Sequence, residues 1–393
     1  MFSNIDATNH QARDNPEPVP GASPRSAWPR PAALPLGRGH RMAFRTVGGP
    51  RGEPWLLLHG GPGSSCQPGM LAPLDLSRQW AIAPDQRGCG ASRPRGKTTA
   101  NTTHALVTDL EALRRHLGVE RWSLLAGSWG TVVALAYAKA HPQRVQRLVL
   151  RGAFALSRRE VGGLLLPPVR TLRVLGPEAA WPATPGRSVP AVLARLRQLL
   201  QSGTPGVATL RVVRRWSLLE SAAAGRGMRR SLRHASQGVG DLPGGGPGET
   251  GNPVSGSDGA ALVAAIRRDW AQLRRRQRRA QARAHRPGWD HSERAALDKY
   301  RVQAHYLWHR GFVRPGELDR AVLLLAQRGV PVDWVHGRFD AICPPQNSRA
   351  WAALGARTAP PRATTLHQPP SGHLGHEPAM LAALRACVRG RPV

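Results

Sequence analysis

The sequence predicts an α/β architecture: a mostly parallel central sheet flanked by helices, with an inserted, mainly helical segment. Three observations predict it. Trp55-Leu56-Leu57-Leu58 and Trp122-Ser123-Leu124-Leu125 are short apolar runs, as expected of strands buried on both faces. The second run passes through Ala126-Gly127-Ser128-Trp129-Gly130 straight into an alanine-rich helical run, Thr131–Ala138. A further apolar run, Pro331–His336, appears only after a long stretch of helical patterns.

Taken in order, residues 1–33 carry many prolines (Pro16, Pro18, Pro20, Pro24, Pro29, Pro31) and are expected to be a disordered extension. Residues 34–156 hold the first strand–helix units. Leu106, Leu110, Leu113 and Leu117 mark one helix, and Leu148-Val149-Leu150-Arg151-Gly152 marks a strand. Residues 157–328 read as a helical cap inserted into the core. Within it, 225–257 is rich in Gly, Ser and Pro and is expected to be a mobile loop. Residues 329–393 return to the core with the strands Pro331–His336 and Thr364–His367 and a closing helix near Met380–Leu384. No internal repeat is present.

The turn at Ser128 carries the chemistry. A sharp strand-to-helix turn demands small neighbours, lifts the hydroxyl off the sheet edge, and aims a helix N-terminus at the same spot. The usual pattern has glycine two residues before the serine. Here Ala126 stands there, which is still small. A serine hydroxyl is a weak nucleophile until a neutral imidazole takes its proton and a carboxylate orients that imidazole. Asp340, in the loop after Pro331–His336, is the acid candidate. His373, in Ser371-Gly372-His373 after Thr364–His367, is the base candidate. A lone histidine among 15 is ordinarily a surface or core side chain. Order along the chain and strand-end placement lift these two above that background. The oxyanion donors are assigned to the N–H of Trp129 and to the loop His59-Gly60-Gly61-Pro62-Gly63, at Gly61 with Gly60 as the alternative.

Other patterns carry less. His305/His309 and His373/His376 lack the Glu or Cys partners of zinc sites, so no metal is expected. Ala91–Thr98 nearly fits a phosphate-binding loop, but Pro94 interrupts it and no helix follows directly.

Together, His59–Gly63, Asp85-Gln86-Arg87-Gly88-Cys89-Gly90, Gly127-Ser128-Trp129-Gly130, His336-Gly337-Arg338-Phe339-Asp340 and Ser371-Gly372-His373 resemble the proline iminopeptidases. The resemblance covers most of residues 34–156 and 330–380. It implies an α/β-hydrolase fold with a helical cap. It also implies a Ser128–His373–Asp340 serine peptidase that uses no cofactor and releases an N-terminal proline from short peptides through a prolyl-enzyme ester. The family places an acidic residue after a Trp-rich helix in the cap. Trp216-Ser217-Leu218-Leu219-Glu220 is similar, which implies that Glu220 pairs with the substrate's α-ammonium and that Trp216, on the same helical face, takes part in binding substrate. A second glutamate of the family is replaced by Gln303 in Val302-Gln303-Ala304-His305-Tyr306. That exchange leaves open an esterase or amidase of the same fold with no need for a free N-terminus.

Composition agrees with an enzyme. The 393 residues, 12 of them Trp and 41% hydrophobic, suffice for a sizeable core. Cys66, Cys89, Cys343 and Cys387 are widely spaced and form no disulfide framework, so a reducing cytoplasm is the expected setting. No run is long and apolar enough to span a membrane, and the N-terminus lacks the apolar segment of a signal peptide. The formal charge of +32 is carried by arginine, since Lys97, Lys139 and Lys299 are the only lysines. Arg267, Arg268, Arg274, Arg275, Arg276, Arg278, Arg279 and Arg283 fall in one helix-compatible run. A polyanion-binding protein with a vestigial active site is the remaining alternative. No stacking platform or nucleic-acid motif accompanies the run, so no specific nucleic acid is expected.

Overall fold

The computed structural model describes residues 28–166, 188–201, 203–240, 256–283, 286–358 and 363–390. Eight strands form one sheet: β1 (Ala32–Pro35), β2 (Arg41–Val47), β3 (Glu53–Leu58), β4 (Gln79–Asp85), β5 (Trp122–Gly127), β6 (Val145–Arg151), β7 (Val332–Val335) and β8 (Thr364–His367). Their order is β1-β2-β4-β3-β5-β6-β7-β8. β1 and β2 are antiparallel, and every pair from β4 to β8 is parallel.

Alternation along the central strands explains the two cores. Leu56, Leu58, Leu124, Leu148, Leu150 and Trp334 face one side with the helices α1 (Thr103–His116) and α2 (Trp129–Ala140). Trp55, Leu57, Leu125, Val149 and Val335 face the other, against Met380 and Leu384 of the closing helix, which we number α10 (Pro378–Arg389). Burial on both faces is why these strands read as continuous apolar runs rather than alternating ones. α2 lies tight on the sheet because Gly130 has no side chain; a Cβ there would stand 2.3 Å from the Leu58 carbonyl oxygen.

Between β6 and β7 come α3 (Arg158–Leu165), α4 (Val189–Gln201), α5 (Val207–Gly240), α6 (Gly256–Arg283), α7 (His291–Trp308) and α8 (Glu317–Gln327). Ser157 with Glu160 and Asp290 with Glu293 form capping boxes that start α3 and α7. α9 (Gln346–Ala356) joins β7 to β8.

Two expectations need correction. The Pro-rich extension was expected to reach residue 33, yet β1 begins at Ala32, Arg45 Nε donates to the Pro29 carbonyl at 3.1 Å, and the Arg45 guanidinium lies over the Trp28 ring. Residues 1–27 lie outside the described residues. The loop expected over 225–257 is helical as far as Gly240 and again from Gly256; 241–255 lie outside the described residues. Gly225 and Gly227 belong to α5 for packing rather than looseness. A Cβ on Gly227 would stand 2.9 Å from the Phe339 carbonyl oxygen and 3.0 Å from the Gly372 Cα. α5 therefore rests directly on the two loops that carry Asp340 and His373.

Candidate active site

Ser128 sits at φ 57°, ψ −125°, between β5 and α2. A residue with a side chain held at such a positive φ stores about 1–3 kcal/mol of strain, maintained only by its surroundings. Those surroundings are explicit. The Ser128 N–H donates to the Arg151 carbonyl at 2.9 Å, and the Ser128 carbonyl accepts from the Thr131 N–H at 2.9 Å. Gly127 leaves room for the Arg151 guanidinium, which a Cβ would meet at 2.3 Å. Small residues at 126, 127 and 130 are what this turn requires, and glycine at 126 is dispensable.

Asp340 and His373 come together beside it. His373 Nδ1 donates to Asp340 Oδ2 at 2.7 Å. Asp340 Oδ1 accepts from the Ile342 and Cys343 N–H groups at 2.8 and 2.9 Å, and His336 Nε2 stands 3.3 Å from Oδ2. Burial alone would raise this carboxyl, but the charge of His373 and the hydrogen bonds from His336 and His373 hold it well below the usual carboxylate range. His336 is fixed in turn. Its Nε2 faces two acceptors, Asp340 Oδ2 and the Cys343 carbonyl (3.1 Å), so Nδ1 accepts from the Ser348 hydroxyl at 2.7 Å. Ser128 Oγ lies 3.9 Å from Cys343 Sγ, so the Asp340 loop also reaches the serine. Among the described residues no hydrogen bond joins Ser128 to His373; such bonds are often loose until substrate arrives. Gly152 keeps the space between β6 and the pair open, since a Cβ there would stand 3.3 Å from the His373 ring and 3.4 Å from Asp340 Oδ2.

The histidine loop has anchors that the sequence reading missed. Buried Glu377 accepts from the N–H groups on both sides of His373, Gly372 at 2.7 Å and Leu374 at 3.0 Å. The Arg151 guanidinium donates to the His373 carbonyl. A glutamate just ahead of a helix-starting Pro378, and an arginine ending an apolar strand, were the available signals.

The glycine loop after β3 closes the other side. The space beside the Gly60 Cα is bounded by the Gly127 carbonyl and by Ser128, with Ser128 Oγ 3.6 Å from where a Cβ would lie. Gly61 adopts φ 119°, a conformation that L side chains rarely take. Gln86 ties this loop to α2. Its N–H donates to His59 Nε2 at 3.1 Å and its amide nitrogen donates to the His59 carbonyl at 2.9 Å. Its amide oxygen accepts from Trp129 Nε1 at 3.0 Å. His59 Nδ1 therefore carries the proton and donates to the Gly60 carbonyl at 3.0 Å, and burial pushes this imidazole below its usual value. Arg87 forks onto Asp109 and also donates to the Ala100 carbonyl at 2.8 Å, which fixes the loop after β4 that carries Gln86.

In the cap, α5 and α7 meet at Glu220. Its carboxylate accepts from Lys299 Nζ, from Gln303 Nε2 at 2.9 Å and from the Tyr300 hydroxyl at 3.2 Å. Trp216, a sequence candidate for touching substrate, is fully buried and stacks on Tyr300 at 4.8 Å. It backs the Tyr300 ring instead of facing a ligand, because its side of α5 is the one turned into the core. The turn at Lys299 packs on the glycine loop, where a Cβ on Gly63 would stand 2.3 Å from the Lys299 carbonyl oxygen.

Two other patterns are placed elsewhere. Ala91–Thr98 forms turns bridged to β2 through Arg41 and Arg93, and the next helix starts only at Thr103, so it builds no phosphate cradle. Among the described residues, Asp333, His367 and Cys387 could together reach an ion, but the Thr365 hydroxyl already engages both Asp333 and His367.

The sequence profile of the alpha/beta hydrolase fold matches residues 53–379, and the chain is a member of that class. A solved structure of a probable hydrolytic enzyme from Pseudomonas aeruginosa PAO1 superposes with a TM-score of 0.50 at 20% identity, covering 93% of this chain and 95% of the other, and shows the same fold. The proline iminopeptidase of Xylella fastidiosa strain Temecula1 is 30% identical over 347 residues, 88% of this chain and 91% of the relative. That of Neisseria meningitidis serogroup A is 47% identical over 118 residues, but those span only 29% of this chain and 37% of the relative. Within the α/β hydrolases, the chain belongs to the proline iminopeptidase family. No helix among the described residues is long and apolar enough to cross a membrane.

Proposed function

We propose that the chain is a serine aminopeptidase that releases an N-terminal proline from short peptides. Ser128 Oγ attacks the prolyl carbonyl carbon while its proton passes to His373 Nε2. The N–H groups of Trp129 and Gly61 hold the oxyanion. The C–N bond then breaks, and His373 returns the proton to the leaving amine, which leaves a prolyl ester on Ser128. Water, deprotonated by His373, cleaves that ester and restores the hydroxyl. Asp340 keeps Nδ1 protonated, so that Nε2 is the free acceptor. The observation that supports this reading most is the 2.7 Å His373–Asp340 pair at the strand ends beside a serine held at φ 57°. Four buried cysteines without disulfides accord with a reducing, cytoplasmic setting.

The test is hydrolysis of prolyl p-nitroanilide, its N-acetylated form and a short p-nitrophenyl ester, by the wild type and by Ser128→Ala. Free-proline turnover that is lost in the variant supports the reading. Equal turnover in Ser128→Ala removes the nucleophile. Turnover of the ester alone moves the function to an esterase of the same fold, a reading that the replacement of the family's second glutamate by Gln303 favours.

A further inference from the structure

The cap contains a cation site, and its occupant is the protein's own lysine. Lys299 Nζ contacts the Glu220 carboxylate and lies 4.7 Å from the centre of the Tyr300 ring. A carboxylate beside an aromatic face is how proteins hold ammonium groups. Tyr300 is braced for this by Trp216 on one side and by the Ser217 hydroxyl at 2.9 Å. With Gln303 neutral, the Glu220 and Lys299 charges cancel, so the resting site offers an incoming ammonium no net attraction.

One acceptor stands out. Gln303 is 1% exposed, donates through Nε2 to Glu220, and its Oε1 has no hydrogen-bond partner among the described residues. A buried acceptor without a donor costs about 1–3 kcal/mol. Lys299, which arrives from the neighbouring turn of the same helix, satisfies Glu220 and leaves Gln303 Oε1 unmet. The pyrrolidinium of an N-terminal proline carries two N–H donors on one nitrogen, which suits one carboxylate oxygen and one amide oxygen together.

We propose that Lys299 is an internal competitor for the substrate's N-terminal ammonium: it fills the Glu220–Tyr300 site in the resting enzyme and withdraws when a free N-terminal proline binds to Glu220 and Gln303. This rests on the iminopeptidase reading above. Withdrawal is sterically open, because the Lys299 side chain is 26% exposed and its residue also lines a cleft of about 1250 Å³ with Asp298, Asp85, Ser64 and Ser65. The flexible four-carbon stem permits the swing, and the solvent of that open cleft receives the charge. Lys299 thus sets how strongly the enzyme discriminates a charged N-terminus from an uncharged acyl group of the same shape.

The experiment compares prolyl p-nitroanilide with cyclopentanecarboxylic acid p-nitroanilide, its analogue without the nitrogen, for the wild type, Lys299→Met, Lys299→Gln and Lys299→Arg. The ratio of kcat/KM for the two substrates is expected to rise about tenfold in both neutral variants, through KM for the prolyl substrate, and to stay near wild type in Lys299→Arg. An unchanged or lowered ratio in the folded neutral variants overturns the competitor role. The Gln variant keeps a hydrogen bond to Glu220 and so guards against misfolding of the Met variant. If every variant cleaves only the cyclopentane substrate, the iminopeptidase reading itself has failed. If prolyl turnover is normal with a constant ratio, this inference alone has failed.

Discussion

Replacing Asp340 by Asn tests the centre of the mechanism. The carboxylate uses both oxygens, Oδ1 for two backbone N–H groups and Oδ2 for His373 and His336. An amide can satisfy only one side. With its oxygen toward Ile342 and Cys343, its NH₂ faces His373 Nδ1 and forces the proton onto Nε2. The imidazole then cannot accept the Ser128 proton. A wrong tautomer in triads of this kind costs roughly 10⁴-fold in rate, or about 5.4 kcal/mol at 1.36 kcal/mol per decade. Asp340→Asn should therefore lower kcat by about three to four decades with prolyl p-nitroanilide, with KM little changed. Stability provides a second readout. The Asp340 carboxyl lies below its usual range in the folded chain, since the His373 charge and the hydrogen bonds outweigh burial. A depressed carboxyl stabilises the fold above its unfolded value near 4, and that contribution fades as pH falls through the lower folded value. The difference in urea-unfolding free energy between wild type and variant should thus be constant above about pH 5 and shrink toward pH 3. A variant within tenfold of wild-type kcat at pH 7 would falsify the assignment of Asp340 as the orienting acid.

Two further perturbations probe the supports. Gly227→Ala pushes a methyl into the backbone of both catalytic loops, 2.9 Å from the Phe339 oxygen and 3.0 Å from the Gly372 Cα. It should cost about 1–3 kcal/mol of stability and lower kcat; an unchanged Tm with full activity would show that α5 does not brace those loops. Glu377→Ala strips the partners from the Gly372 and Leu374 N–H groups. Thermal melting should show a loss of about 2–4 kcal/mol, by hydrogen bonds to a charged group, and kcat should fall at least tenfold while KM moves less. Wild-type kinetics would sink the anchoring role.

What the sequence made legible follows physical range. β3, β5 and β6 were readable because burial on both faces leaves an uninterrupted apolar signature. The Ser128 turn and the Asp340–His373 pairing at the strand ends were readable because a turn at a strand end constrains its own neighbours. The anchors were not readable, because each works across the fold. Arg151 meets the His373 carbonyl 222 positions away, and Lys299 meets Glu220 79 positions away. Local pattern carries no record of such pairings. The same holds for Gly225 and Gly227. Glycine in a window with Ser and Pro looks like a loop signal, yet here Gly225 makes room for side chains of α6, and Gly227 lets α5 press against the backbone of the Asp340 and His373 loops. Trp28 and Pro29 were masked in the sequence by the prolines around them; only the register of β1 on β2 and the stacking of Arg45 on Trp28 reveal an ordered edge.

The buried charges beneath His373 fit its proposed role as a base that must become a cation. Asp340 and Glu377 are carboxylates whose oxygens are met by N–H donors, and the Arg151 guanidinium lies within the influence of both. Burial pushes Arg151 below its usual value, and the two carboxylates oppose that push. Two negative charges and one positive leave the cluster at −1 while His373 is neutral. In the proposed mechanism the Ser128 proton then makes an imidazolium, which brings the cluster to zero. A buried carboxylate left unpaired would be costly in the resting state, but here backbone N–H groups carry that cost in advance, and the transition state gains a counter-charge that is already in position. Removing Arg151 would drive the resting cluster to −2, and removing Glu377 would leave it neutral before the proton moves. Under the proposed mechanism, removing Glu377 takes counter-charge away from the imidazolium, whereas removing Arg151 leaves excess negative charge in the resting site; either change alters the match between the cluster and the charge that forms on His373.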